Sequence, residues 1–242
     1  MRIFLLSLCL VLVTSCYDKT EVVFNQSDKD NSENIALTND NKILSSLPFT
    51  FEDLDYLYFP IGYSEESFRK SVRLKGSYSG SSGSYKMGYV SGNYLGGILD
   101  NLMIRSKGKQ EFKLLTNKTL KIDGVNYLYR LDTIHAKDRF VYRVIENDTS
   151  MDNILDENDM AVLYLSASDG SNFKRLSPSS EHLKDWSVKP VSGLMYFRTM
   201  IDLNKNGKFD KGDGINLYEY NLLTEEDPIV IFNDEVYEEL IK

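Results

Sequence analysis

Two twelve-residue stretches constrain this chain more than anything else in it. Residues 148–159 read DTSMDNILDEND, and 54 residues later 202–213 read DLNKNGKFDKGD. Oxygen-bearing side chains fall at positions 1, 3, 5, 9 and 12 of both: Asp148, Ser150, Asp152, Asp156 and Asp159, then Asp202, Asn204, Asn206, Asp210 and Asp213. The flanking runs FVYRV, AVLYL, LMYFRTM and INLYEY are β-branched and aromatic. A polar loop between two such runs, repeated in register, suggests a repeated strand–loop–strand unit.

The spacing is that of the EF-hand calcium loop, in which a hard cation takes six to eight oxygens. Position 6 needs a backbone open to positive φ, which suits Gly207 and is tolerated by Asn153. Position 7 contributes a backbone carbonyl, here Ile154 or Lys208, and the apolar position 8 is Leu155 or Phe209. Position 12 is Asp in both loops, where a bidentate Glu is usual, so fewer oxygens or a smaller ion are implied. The first loop carries Asp148, Asp152, Asp156, Glu157 and Asp159 and no base; the second sets Asp202, Asp210 and Asp213 against Lys205, Lys208 and Lys211. Consensus favours the second and charge the first. The β-like flanks exclude a true EF-hand or dockerin, both of which need helices there. The two readings are a Ca2+ clip on a long hairpin connection and a metal-free polar turn.

Self-similarity runs beyond the loops. Phe140–Arg143 precedes the first as Leu194–Phe197 precedes the second, and NLMIRSKGKQEFKLLT (101–116) aligns without gaps to VLYLSASDGSNFKRLS (162–177). Units of 54 to 61 residues signal stacked or radial β units. LYLSASDGSNFKRLSP resembles the TolB-like propeller repeat: a strand, an Asp-Gly-Ser turn at Asp169-Gly170, a second strand and a closing Leu-Ser-Pro. Asp185-Trp186-Ser187 is similar to that repeat's Trp-Ser, without the Pro-Asp-Gly turn that follows it there. The resemblance covers about 140–177 and 186–220, and more weakly 88–116. It implies an all-β fold of three to four antiparallel blade-like units. Closed propellers have four to eight blades, so the expectation is a partial or atypical propeller. Helical signals are confined to Glu65–Val72 and Glu235–Ile241, and the Gly/Ser stretch 76–97 reads as strands joined by tight turns.

The N-terminus sets the expected location. Met1–Ser15 has the basic Arg2 and an apolar core too short to span a bilayer, and it ends Val13-Thr14-Ser15-Cys16. That ending resembles the bacterial lipobox, which implies cleavage before Cys16 and acylation of its thiol and amine. Cys9 would leave with the signal, so no disulfide is expected; a domain of roughly 200 residues can bury enough core without one. Tyr17 after the cysteine lacks the inner-membrane retention Asp and, by analogy, points to the outer membrane. The polar residues 16–45 read as a disordered tether, with a short strand at Glu21–Phe24 as the alternative, and 46–242 as the folded domain.

The formal charge is −8, or −9 without Arg2, which argues against nucleic acid as a partner. His135 and His182 are the only histidines and lack zinc spacing, and no nucleophile elbow or phosphate loop is present. The expected partners are a lipid bilayer through acylated Cys16 and a protein, peptide or glycan ligand. The expected role is a non-enzymatic binding or scaffold module, with a propeller-type hydrolase of the envelope or a purely structural component as alternatives.

Overall fold

A computed structural model describes residues 43–51, 54–63, 89–210 and 212–240. Cys16, the signal and tether, the Glu21–Phe24 strand and the Glu65–Val72 helix lie outside them. The described chain is a succession of short strands. The first six are β1 (Ile43–Ser45), β2 (Tyr56–Tyr63), β3 (Tyr89–Ser91), β4 (Tyr94–Leu99), β5 (Asn101–Ser106) and β6 (Lys113–Leu114). β7 (Lys121–Tyr127) and β8 (Arg139–Ile145) flank a helix, α1 (Tyr129–His135). β9 (Ala161–Ala167), β10 (Lys174–Arg175), β11 (His182–Lys189), β12 (Leu194–Ile201), β13 (Gly214–Asn221) and β14 (Ile229–Phe232) follow, and α2 (Asp234–Leu240) matches the expected C-terminal helix within a residue.

The strands form three antiparallel sheets, none closed into a barrel: β1-β2-β5-β6, β10-β9-β8-β7-β4-β3 and β11-β12-β13-β14. All-β architecture with a few blade-like units is therefore the fold. The units are three four-stranded meanders, β1-β2-β5-β6, β7-β8-β9-β10 and β11-β12-β13-β14. The hairpin β3-β4 is inserted in the first meander but hydrogen-bonds to β7 of the second. Ser91 pairs with Tyr94 across its two-residue Gly92-Asn93 turn, with Gly92 at φ +57°. The gapless repeat is kept in register. Met103 pairs with Leu114 and Ile104 with Lys113, as Tyr164 pairs with Arg175 and Leu165 with Lys174. The closing bonds match too: Leu115 N–H donates to Leu102 O as Leu176 N–H donates to Leu163 O, both at 2.8 Å. At the Asp169-Gly170 turn, Gly170 adopts φ +79° and Ser171 N–H donates to Asp169 Oδ1 at 2.8 Å.

The sheets stack as three layers, and the alternation of β8 and β9 is what joins them. Phe140, Tyr142, Val144, Val162 and Tyr164 point into a core shared with Tyr58, Leu102 and Ile104 of the first sheet. Val141, Leu163 and Leu165 point the other way, into a core with Met195, Phe197, Tyr218 and Tyr220 of the third. β9 is buried at six of seven positions, so its run AVLYL is continuously apolar, as two-sided burial requires. β13 faces solvent on one side and alternates strictly. Burying each of these large side chains contributes about 1.5–3 kcal/mol.

The helix α1 is absent from the expectations above. It is seven residues long with one buried side chain, Leu131, too few turns to show a helical period. Ala136, left-handed at φ 52°, ends it by donating its N–H to Asp132 O.

Phe140 is fully buried and meets the rings of Phe51, Tyr58, Tyr127 and Tyr142. Phe140→Ala is expected to cost about 3–5 kcal/mol in urea unfolding. A loss below about 1 kcal/mol would contradict a shared core between the first two sheets.

Candidate metal centre

Both aspartate loops occupy the same place in their units. The first joins β8 to β9 and the second joins β12 to β13, in each case two adjacent antiparallel strands. The stems are regular up to the loop, with Ile145 opposite Ala161 and Ile201 opposite Gly214.

The loops share one conformation. Positions 4 and 6 are left-handed in both: Met151 and Asn153 at φ 63° and 65°, Lys205 and Gly207 at 56° and 76°. Five backbone-to-side-chain bonds recur. Position 1 accepts from the N–H groups of positions 5 and 6: Asp152 and Asn153 on Asp148 at 3.2 and 2.7 Å, Asn206 and Gly207 on Asp202 at 3.1 and 2.9 Å. Position 5 accepts from position 7 at 2.8 Å, from Ile154 to Asp152 and from Lys208 to Asn206. Position 9 accepts from position 11, from Asn158 to Asp156 at 2.8 Å and Gly212 to Asp210 at 2.7 Å. Position 12 accepts from position 9, from Asp156 to Asp159 at 3.0 Å and Asp210 to Asp213 at 2.6 Å. These bonds fix the side chains of positions 1, 5, 9 and 12 against the backbone of each loop. The amide contacts at Gly212 and Asn206 hold the Asp210 carboxyl below its ordinary value.

The position 12 carboxylates differ. Asp159 is fully buried and uses both oxygens: Oδ1 accepts from Thr149 and Ser150 N–H at 2.8 and 2.9 Å, and Oδ2 from Asp156. Burial raises its pKa. Asp213 uses only Oδ2; its Oδ1 is buried without a hydrogen-bond partner. A buried carboxylate oxygen without a donor is costly, so the second loop has the unmet requirement that a cation would satisfy. Its remaining oxygens are Asp202, Asn204, Asn206, Asp210 and the Lys208 carbonyl. The carboxamides of Asn204 and Asn206 turn their nitrogens toward Asp210, at 3.5 and 3.0 Å. Among the described residues no three His, Cys, Asp or Glu side chains converge as a ready-made metal cage. A cation here would draw on carboxamide and carbonyl oxygens as well as carboxylates. An all-oxygen donor set of this kind suits a hard cation and not a thiophilic one.

Two neighbours of the second loop carry no motif in the sequence. Glu181 is buried at the start of β11, beneath the loop. Its carboxylate accepts from Thr199 Oγ1, from Asn216 Nδ2 at 3.1 Å and from Tyr218 OH at 3.0 Å. Burial and then the Glu181 charge push the Tyr218 hydroxyl up to about 12. These bonds tie the end of β12 to the start of β13. The adjacent His182 stacks on Phe209 at position 8 of the second loop, with centroids 5.2 Å apart. Its Nδ1 accepts from Ala161 N–H at 3.2 Å, just after the first loop. One imidazole thus spans the exit of one loop and the flank of the other. His135 is remote in role: its Nε2 meets the Pro190 carbonyl at 2.9 Å. Leu155, at position 8 of the first loop, packs on Ile145 and Ala161.

Burial, reinforced by Arg143, lowers the His182 pKa from 6.5 to about 4. The unfolded chain takes up this proton near pH 6.5 and the folded chain only near 4, so stability is full above 6.5 and falls as pH drops through that window. The loss approaches about 3 kcal/mol at the acid end. His182→Gln should flatten the dependence of thermal stability between pH 7 and 5; an unchanged slope would show that His182 titrates freely in the folded state.

Scans against protein-family models, curated proteins and solved structures return no significant match to this chain.

Proposed function

We propose that this protein is a bacterial envelope lipoprotein whose three-sheet domain is clipped by calcium and serves as a binding or scaffold module. The observation that carries the calcium reading is Asp213 Oδ1, a buried carboxylate oxygen without a donor at position 12 of a loop that carries side-chain oxygens at positions 1, 3, 5 and 9. Asp202, Asn204, Asn206, Asp210, Asp213 and the Lys208 carbonyl would hold the ion. Three carboxylates outweigh its two positive charges, and the mixed oxygen set fits calcium's irregular coordination.

The first loop, through Asp148, Ser150, Asp152, Asp156, Asp159 and the Ile154 carbonyl, is the weaker site. A ligand role for Asp159 competes with three backbone N–H groups it already accepts. The role is structural rather than signalling, because each loop leaves strands paired up to its ends, with no helices to swing open. Ion binding by the folded state alone stabilises it by mass action. Anchoring rests on the lipobox ending at Cys16: several acyl chains hold a protein on a membrane where one is marginal.

Saturating calcium against a chelator should raise Tm by about 5–10 °C, the shift that a gain of roughly 2.7 kcal/mol produces in a domain of this size. Asp213→Asn should remove most of that shift and Asp159→Asn less. A Tm indifferent to calcium would end the calcium reading. For the anchor, Cys16→Ser is expected to move the chain from the membrane to the soluble fraction on cell fractionation, and a variant that stays with the membrane would overturn the lipoprotein reading.

A further inference from the structure

Three stacked sheets leave two terminal faces, and here they are unlike. The outer face of β11-β12-β13 is mixed, with its charges paired: Arg198 pairs with Asp185 and Tyr196 OH donates to Glu219 at 2.7 Å, among the half-buried Leu194, Met200, Ile215 and Leu217. The outer face of the first sheet is apolar. Its register places Leu57 opposite Arg105, Phe59 opposite Met103 and Met103 opposite Leu114, all pointing away from the buried Tyr58 and Ile104. Phe112 and Leu114 remain 49% and 51% exposed. A stacked array needs a polar outer face at each end, and the described residues of this sheet do not supply one.

Arg105 lies within this face. Its guanidinium sits 5.5 Å from the centre of the Phe59 ring and 5.1 Å from that of Phe112, while its Nε is buried without a hydrogen-bond partner. The other arginines on described strands each hold a carboxylate: Arg139 with Glu225, Arg143 with Asp123, Arg175 with Glu146 and Arg198 with Asp185. Among the described residues Arg105 holds none, on a chain whose acidic residues outnumber Lys and Arg by 36 to 28. Two aromatic rings immobilise a planar fork whose preferred partner is a carboxylate.

We propose that this face docks a partner protein presenting an Asp or Glu carboxylate ringed by apolar side chains, with Arg105 receiving the carboxylate and Phe59, Met103, Phe112 and Leu114 receiving the apolar rim. Charge decides among occupants. A two-fold contact between copies brings the same patch together from both sides and sets Arg105 toward its own counterpart. An anionic lipid surface would meet a protein of net charge −8, and among the described strand residues of this face Arg105 is the one cation. A carboxylate on an apolar patch meets neither objection. The inference names the partner of the binding module proposed above and does not depend on its calcium.

The test uses the full-length chain in the cells that make it, with a benzoylphenylalanine photoprobe at position 114 and a control probe at position 189 on the opposite terminal face. The expected result is a protein adduct at 114 whose crosslinked peptide carries Asp or Glu among apolar residues. Its yield should fall at least about tenfold in Arg105→Gln and be unchanged in Lys109→Gln. Arg105→Lys, which keeps the charge and loses the fork, should give an intermediate yield, and melting curves verify that each variant folds. An adduct with a second copy, with another part of the same chain or with lipid would overturn the proposal, as would one insensitive to Arg105 or none at all. Adducts at 189 alone would place binding elsewhere and leave the binding-module reading standing; none at either position would remove both.

Discussion

Two-sided burial of the central sheet is the constraint on which the rest of the molecule depends. β8 and β9 send Phe140, Tyr142, Val144, Val162 and Tyr164 to one core and Val141, Leu163 and Leu165 to the other. Because side chains alternate, a one-residue slip of either strand would exchange the two sets and leave both outer sheets facing the wrong partners. Tyr142 and Tyr58 fit because their polar tips are met: Tyr142 OH shares a 2.7 Å bond with Ser166 Oγ, and Tyr58 OH donates to Ser168 O at 2.9 Å, joining the first sheet to the β9–β10 turn. Each bond satisfies a group that would otherwise be buried unpaired.

The loops take their geometry from this arrangement. β8–β9 and β12–β13 are the middle pairs of their meanders, so each loop leaves from two strands that are hydrogen-bonded on both sides. Long connections are tolerated where both ends are anchored, because closure entropy grows slowly with length. The first meander uses the same position differently: its connection from β2 to β5 contains the hairpin β3-β4, which extends the central sheet beyond β7. Glu181 and His182, adjacent at the start of β11, then tie the stem and the flank of the second loop to the body of the domain.

Much of this was legible in the residues. Alternating Tyr, Leu and Val marked the strands, the gapless match of 101–116 to 162–177 foretold an equal register, and the Asx ladders foretold two loops of one conformation. The apolar position 8 residues face inward as that spacing implies. Other features carried no local signal. The buried Glu181 cluster is made by Thr199, Asn216 and Tyr218, which are distant in sequence from it and meet only when β11, β12 and β13 pair. The β3-β4 hairpin gives no sign of which sheet it will join, since its turn chemistry is local and its partner is not. Arg105 reads as an ordinary strand arginine until the register sets it between Phe59 and Phe112.

The all-β class, the repeat, the position of both loops and the oxygen-bearing residues in them follow from residue order alone, because turn chemistry and two-residue alternation act over neighbours in the chain. How those units stack, which loop has a carboxylate oxygen left unpaired and which face of the stack remains apolar depend on contacts between residues far apart in the chain. The two aspartates at position 12 are the same residue in the same local pattern. Asp159 meets three backbone N–H groups and Asp213 one, because burial and the path of the surrounding chain differ between a loop on the doubly covered sheet and one on the terminal sheet.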